Sequence, residues 1–135
     1  MSSGECGQWV ASVLTDSMIL VLSKYMAATI ARFADMFSAM GTEPRLRIMR
    51  LLLAAHPTGM VVGEIQNELQ IPGSTLSHHL EKLKLEELVL VERDRTYLWY
   101  RANTAALQDL LGFLYAECCT RNHAVRPEQM IKCCG

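Results

Sequence analysis

The amino-terminal region lacks a long apolar run: its longest, Met18 to Leu22, has Ser12, Thr15, Asp16, Ser17 and Lys24 around it. A bilayer span needs about twenty predominantly apolar residues in succession, so no transmembrane helix and no membrane partner are expected. Positive charge is missing from the first fifteen residues, where Glu5 is the one charged side chain, and no small-residue cleavage pattern follows. A secretory leader is therefore not expected, and the chain is assigned to the cytoplasm. Net charge is also lacking, with 13 Lys and Arg against 14 Asp and Glu giving −1. No overall positive field gathers nucleic acid, and any DNA-binding face has to be local. The machinery of common enzymes is equally scarce. There is no Gly-rich phosphate loop, no paired catalytic carboxylates and no C-x-x-C, and Ser77 with its neighbouring histidines has no third orienting group. No enzyme and no organic cofactor are expected. Internal repeats and low-complexity stretches are absent too, which argues against a solenoid and a flexible interdomain linker.

What the chain does have is core. Half of its 135 residues are apolar and a fifth are charged, enough for the interior of one domain of ordinary size. The expected layout is a partly helical N-terminal extension over 1–25, a main domain over 26–120 and a tail over 121–135. Five cysteines stand as Cys6 and the adjacent pairs Cys118-Cys119 and Cys133-Cys134, an odd set without the spacing of a secreted disulfide scaffold. In a reducing compartment they are free thiols, open to soft-metal or redox chemistry.

Apolar residues recur at helical spacing from Trp9 to Met40, clearest at Tyr25, Ile30, Phe33, Phe37 and Met40, which predicts one long helix or two in tandem ending at Gly41. Thr42-Glu43-Pro44 reads as an N-cap with proline in the first turn of a further helix, striped by Leu46, Met49, Leu52 and Leu53 and ended by His56-Pro57-Thr58-Gly59. Val61, Val62, Ile65 and Leu69 then mark a short helix, and Ile71-Pro72-Gly73 a tight break. Ser74 is placed as the cap of a helix with Leu76, Leu80 and Leu83 on one face. Two short helices joined by a turn containing Gly have the shape of a helix-turn-helix, and an ordinary αα-hairpin shares it. In the first case the second helix enters the major groove, where Ser74, Thr75, Ser77, His78, His79 and Lys82 touch phosphates and base edges of double-stranded DNA.

Leu88 to Glu92 and Tyr97 to Arg101 are β-prone runs separated by a charged tip, Glu92-Arg93-Asp94-Arg95, and predict a hairpin. A hairpin directly after a helix-turn-helix is the winged form, with Arg93 and Arg95 as contacts to the DNA backbone or minor groove. Glu92 and Asp94 cancel much of that charge, so a plain solvent-facing turn stays open at this point. After Asn103-Thr104, a predicted cap, Leu107, Leu110, Leu111, Leu114 and Tyr115 stripe a last helix running into Glu117-Cys118-Cys119. The first and last helices offer more apolar surface than a small winged domain covers, which predicts a homodimer through them. The expected fold is thus mainly α with a small β-hairpin: a homodimeric winged helix-turn-helix.

The stretch Gly41-Thr42-Glu43-Pro44-Arg45-Leu46-Arg47-Ile48, the stretch Ser74 to Leu83 containing Ser77-His78-His79-Leu80, and Leu88-Val89 leading into the wing together resemble the ArsR/SmtB family of metal-responsive repressors over roughly residues 28–120. The resemblance implies a dimeric winged-helix repressor that leaves its operator when an inducer binds. Two of the family's metal sites have no counterpart here. Val61 to Leu69 contains no cysteine where a Cys-x-Cys would stand, and the paired Asp and His ligands of the last helix are missing between Ala105 and His123. Cys118-Cys119 looks like the vicinal pair of an arsenic-sensing branch. The third cysteine a few residues on is absent, and thiols return only at Cys133 and Cys134.

Soft thiolates select soft ions. Trivalent arsenic takes up to three sulfurs in a pyramid, whereas zinc prefers a tetrahedron built from spaced pairs, so CC-x13-CC suits arsenite or methylarsenite better than zinc. Adjacent positions on a helix point about a hundred degrees apart, and both thiols reach one ion where the helix frays, expected near Thr120-Arg121-Asn122. The expected function is a repressor of an arsenic-resistance operon, released by trivalent arsenic at Cys118 and Cys119, with Cys133 and Cys134 as further ligands. A redox-sensing repressor and a sensor of another thiophilic ion are the alternatives. Cys6 is expected to be idle, and His56 and His123 are read as cap or surface residues rather than ligands.

Overall fold

The break expected at Gly41 is where the first helix ends. A computed structural model describes residues 16–121, with side-chain surroundings for residues 16–116. The elements are α1 (Asp16–Met40), α2 (Glu43–Ala54), β1 (Met60–Val61), α3 (Val62–Leu69), α4 (Gly73–Leu85), β2 (Val89–Asp94), β3 (Tyr97–Ala102) and α5 (Thr104–Arg121). This is the winged helix-turn-helix that the sequence predicts, with one addition. The sheet has three antiparallel strands in the order β1-β3-β2, because Met60 and Val61 pair with Tyr100 and Trp99 before the chain turns into α3. Two residues are too few to show an alternating pattern, and their apolar spacing is absorbed into that of the following helix.

The interior is built from one face of each helix. Ile48, Met49 and Leu52 of α2 meet Ile65 of α3, Leu76, Leu80 and Leu83 of α4, and Leu88 and Val89 at the start of β2. Phe33 and Met36 of α1 and Ala106 and Leu110 of α5 close the same cluster. On α2 the buried stripe is rotated from the expected one: Ile48 is fully buried, whereas Leu46 is 50% exposed. Thr42 does precede the helix as its N-cap but makes no side-chain cap bond. The joint with α1 is held from the other side, where the Arg45 guanidinium donates to the carbonyls of Ala39 and Ser38. Those acceptors belong to the last turn of α1, whose carbonyls have no intrahelical partner.

Asn103 caps α5 as predicted, its Oδ1 accepting from the Ala106 N–H at 3.3 Å. The same residue reaches back to the loop after α4, donating from Nδ2 to Glu87 O at 2.8 Å and from its backbone N–H to Leu88 O at 2.9 Å. Phe113, which the sequence stripe omits, stacks on Phe33 with ring centroids 4.5 Å apart and so joins α5 to α1. Leu111 and Leu114 stay exposed.

The first half of α1 projects from the core as one unbroken helix through Tyr25 and Met26, with Leu20 and Val21 about 70% exposed. Taken whole, α1 is long and apolar enough to cross a membrane by length and composition, a property that its longest apolar run does not show. Its alanines keep the mean hydropathy high between short apolar runs. Yet Phe33, Met36 and Ala39 are buried in the domain, and the stretch before them, residues 16–32, rises only about 25 Å against a hydrocarbon core of about 30 Å.

One backbone position makes a sharp test of this packing. Gly59 has φ +83°, and a Cβ there would lie 2.5 Å from the Tyr100 carbonyl oxygen and 2.4 Å from Arg101 Cγ. Gly59→Ala is expected to cost about 1–3 kcal/mol, from the left-handed backbone and the displaced third strand. Urea unfolding should show a lower midpoint at unchanged slope.

Candidate nucleic-acid interface

Everything presented by α4 depends on how α3 hands the chain over to it. The αL residue of the turn is Gln70, at φ 54° and ψ 41°, not a glycine. Its N–H donates to Gln66 O at 2.8 Å and its side-chain amide to Asn67 O at 2.6 Å, local bonds that hold the left-handed conformation. Ile71 then plugs the core, and α4 begins at Gly73 with Pro72 as N-cap. Ser74 therefore sits inside the first turn and is not the cap; no side-chain cap bond forms.

Leu76, Leu80 and Leu83 are buried beneath α4, and Ser74, Thr75, Ser77, His78 and Lys82 are exposed above it. The Ser77 hydroxyl donates to Gly73 O at 3.0 Å. Its lone pairs are left facing outward, suited to accept from a base amino group. Lys84 pairs with Glu81 at 3.8 Å, whereas Lys82 has no ion-pair partner among the described residues. His79 differs from its neighbours. It is half-buried, and its Nδ1 is shut from solvent without a hydrogen-bond partner among the described residues. Burial, then the Arg45 charge, then His78 push its pKa below the ordinary imidazole value.

The hairpin is longer than its composition suggests. Pairing runs from Val89↔Ala102 to Asp94↔Tyr97, so Glu92, Arg93 and Asp94 are strand residues and the turn is Arg95-Thr96 with Arg95 at φ 57°. Arg101 forms an ion pair with Glu92, as diagonal cross-strand neighbours can. That pair neutralises Glu92 and leaves Asp94 as the one other carboxylate of the tip beside Arg93 and Arg95, which weakens the objection that the wing's charges cancel. Arg93 Nε donates to Arg95 O at 3.2 Å, which draws the two arginines into one local site. Sequence reasoning missed the parts played by Arg101 and Arg45; only the strand register and the helix packing bring them to Glu92 and His79.

The thiols are placed less fully. Cys118 and Cys119 lie in the last turn of α5, which is helical through Arg121, and Asn122 of the expected frayed end lies outside the described residues. Cys6, His123, Cys133 and Cys134 lie outside the described residues. Among the described residues, no group of three or more His, Cys, Asp or Glu is gathered as a metal site would need.

Residues 40–92 match a family described as a helix-turn-helix domain. The chain is 30% identical over 80 residues to the transcriptional repressor SdpR of Bacillus subtilis, covering 59% of this chain and 86% of that protein. It is 34% identical over 81 residues to the nodulation protein NolR of Rhizobium meliloti, covering 60% of this chain and 64% of NolR, just under two thirds of that relative. The crystal structure of NolR from Sinorhizobium fredii superposes with a TM-score of 0.53 at 33% identity, covering 70% of this chain and 90% of that one. A solution structure from Mycobacterium bovis, a homodimeric winged helix-turn-helix DNA-binding domain, shares the fold at TM-score 0.55 and 23% identity over 74% of this chain and 91% of that one.

The exposed face of α4 and the wing tip should separate in their effects on DNA. Ser77→Ala or His78→Ala is expected to cost about 1–3 kcal/mol on the cognate site and to relax specificity at one base pair. Arg93→Ala or Arg95→Ala should weaken all sequences alike and lower the salt slope by about one. Fluorescence anisotropy across a salt series on specific and random duplexes measures both.

Proposed function

The chain belongs to the ArsR/SmtB family of winged helix-turn-helix transcriptional regulators, and from that membership we propose a repressor of an arsenic-resistance operon, released when trivalent arsenic binds Cys118 and Cys119. It is a DNA-binding regulator and not an enzyme. The DNA end of the proposal rests on the α4 face of Ser74, Thr75, Ser77, His78 and Lys82, with His79 at its edge and Arg93 and Arg95 on the wing. The repressing sense is carried over from SdpR, whose name states it.

The observation that carries the inducer is the vicinal pair in the last turn of α5, the helix whose Phe113 stacks on α1. Successive positions of an intact helix are about a hundred degrees apart. Drawing two sulfurs onto one arsenic therefore requires that last turn to unwind. Methylarsenite, with one coordination position filled by carbon, is satisfied by two thiolates, and arsenite gains from a third supplied by Cys133 or Cys134. The unwinding favours release only if the arsenic-bound shape binds DNA more weakly, a coupling of about 1–3 kcal/mol in typical systems.

The exposed apolar faces of α1 and α5, Leu20, Val21, Tyr25, Ile30, Leu111 and Leu114 among them, support a homodimer through these two helices. Two recognition helices then meet half-sites about one DNA turn apart. Leu111→Glu is expected to yield monomers with at least tenfold weaker operator binding, read by sedimentation and anisotropy; a full-affinity dimer would refute this interface.

The inducer test titrates reduced protein on its promoter DNA with arsenite, methylarsenite, zinc and hydrogen peroxide. Cys118→Ser and Cys119→Ser are each expected to abolish release by both arsenicals, and the double Cys133→Ser, Cys134→Ser variant to lose sensitivity to arsenite while keeping it to methylarsenite. Normal release in either helix variant places the inducer site elsewhere, and release of the parent by peroxide alone identifies a redox sensor.

A further inference from the structure

We propose that His79 acts in DNA recognition as a neutral imidazole whose outer nitrogen, Nε2–H, donates one hydrogen bond to an acceptor on DNA, in a tautomer fixed by its buried Nδ1. The proposal rests on the reading of α4 as the DNA-contacting helix and assigns a chemical form to one residue of it.

The ring straddles the boundary between core and surface. Only Nδ1 is buried without a partner; Nε2 is not shut off in this way. A buried N–H without an acceptor is rarer and costlier in proteins than a buried lone pair without a donor. Placing the ring's single proton on Nε2 avoids the worse case. The surroundings favour the same state. From α2, Arg45 brings a guanidinium already donating to Ala39 O and Ser38 O. His78 stands beside it on α4, with ring centroids 6.1 Å apart. Lys82 lies one turn further on and, with Arg45, lines a cleft whose carboxylates are Asp35 of α1 and Glu86 beyond α4. A positive charge on His79 would lack water on its inner side and face Arg45. The ring's displacement below the ordinary imidazole pKa of 6.5 follows that geometry, with burial as the largest cause.

His78 and His79 therefore differ in chemistry although they are adjacent in sequence. His78 is exposed on the outer face of α4. His79 offers one donor of fixed direction, whose complement is a phosphate oxygen or a purine acceptor such as guanine O6 or N7.

Nitrogen-15 correlation spectra of the full chain, free and on its operator at pH 7, read the tautomer directly: Nε2–H with a bare Nδ1 in both states is expected, and conversion to imidazolium on DNA overturns the proposal. His79→Gln, which keeps a neutral donor, is expected to bind operator within about threefold of the parent, and His79→Leu to lose at least tenfold. A loss confined to operator assigns a base acceptor, and an equal loss on random duplex assigns phosphate. Undiminished binding by a folded His79→Leu overturns the proposal. Failure of the underlying reading shows separately, as unchanged affinity when Ser77, His78 and Lys82 are all replaced by Ala.

The fold itself gives a second readout. Because the folded-state pKa lies below the unfolded one, acidification through about 6.5 protonates the unfolded chain first and lowers stability. The parent should therefore lose more Tm between pH 7 and pH 5.5 than His79→Gln does, and an equal loss in both would count against the neutral assignment.

Discussion

Three leucines determine where this protein can touch DNA. Leu76, Leu80 and Leu83 have at most 1% of their surface exposed, and burying a leucine side chain is worth about 1.5–3 kcal/mol. Their helical spacing leaves α4 one rotation about its axis, and every other feature of the candidate interface follows from it. Ser74, Thr75, Ser77, His78 and Lys82 face outward because their positions lie opposite the leucines. His79, on the margin between the two faces, is half in and half out. Rotating α4 by one residue would bury Ser77, Glu81 and Lys84 and expose Leu76, putting charged side chains in the core and a leucine in water. Position along the helix is set separately, by Gln70 and Ile71, which end α3 and pin the turn.

The sequence was most readable where hydrophobic burial decides the outcome. The α4 face, the order of helices and hairpin, and the Asn103 cap all follow from patterns of a few neighbouring residues. It was least readable where the outcome depends on residues distant in the chain. Met60 and Val61 become a strand because Tyr100 and Trp99 offer their backbone to them, some forty positions later. Leu46 is displaced from the α2 stripe by Ile48, a shift of two positions that spacing alone does not resolve on a short helix. Ser74 has the right chemistry for a cap, but Pro72 already has the extended backbone that a cap position needs. Arg45 and Arg101 carry no distinguishing signal in sequence and acquire their parts through packing, beside His79 and diagonal to Glu92. Of the thiols, only the backbone of Cys118 and Cys119 falls within the described residues, so the chemistry of adjacent cysteines remains the ground for the inducer.

Charge is distributed by the same economy. In a chain with net charge −1, Arg32 pairs with Glu87, Lys84 with Glu81 and Arg101 with Glu92, the last two pairs on α4 and the hairpin themselves. These exposed pairs add little to stability. Among the described residues Lys82, Arg93 and Arg95 have no carboxylate bonded to them, as is true also of Lys24, Arg45, Arg47 and Arg50, and these three lie on the helix and hairpin of the candidate interface.

Asn103 links these parts mechanically. It starts α5, and it holds Glu87 O and Leu88 O, two and three residues beyond the end of α4. The helix that carries the vicinal thiols and the helix that carries the exposed hydroxyls of the candidate interface are therefore clamped at neighbouring ends by one side chain and one peptide N–H. A rigid-body swing of α5 about that clamp moves its far end most and its near end least. Under the proposed induction, displacement at the thiol end would be geared down on its way to α4 and would reach it chiefly as torque at its C-terminal turn.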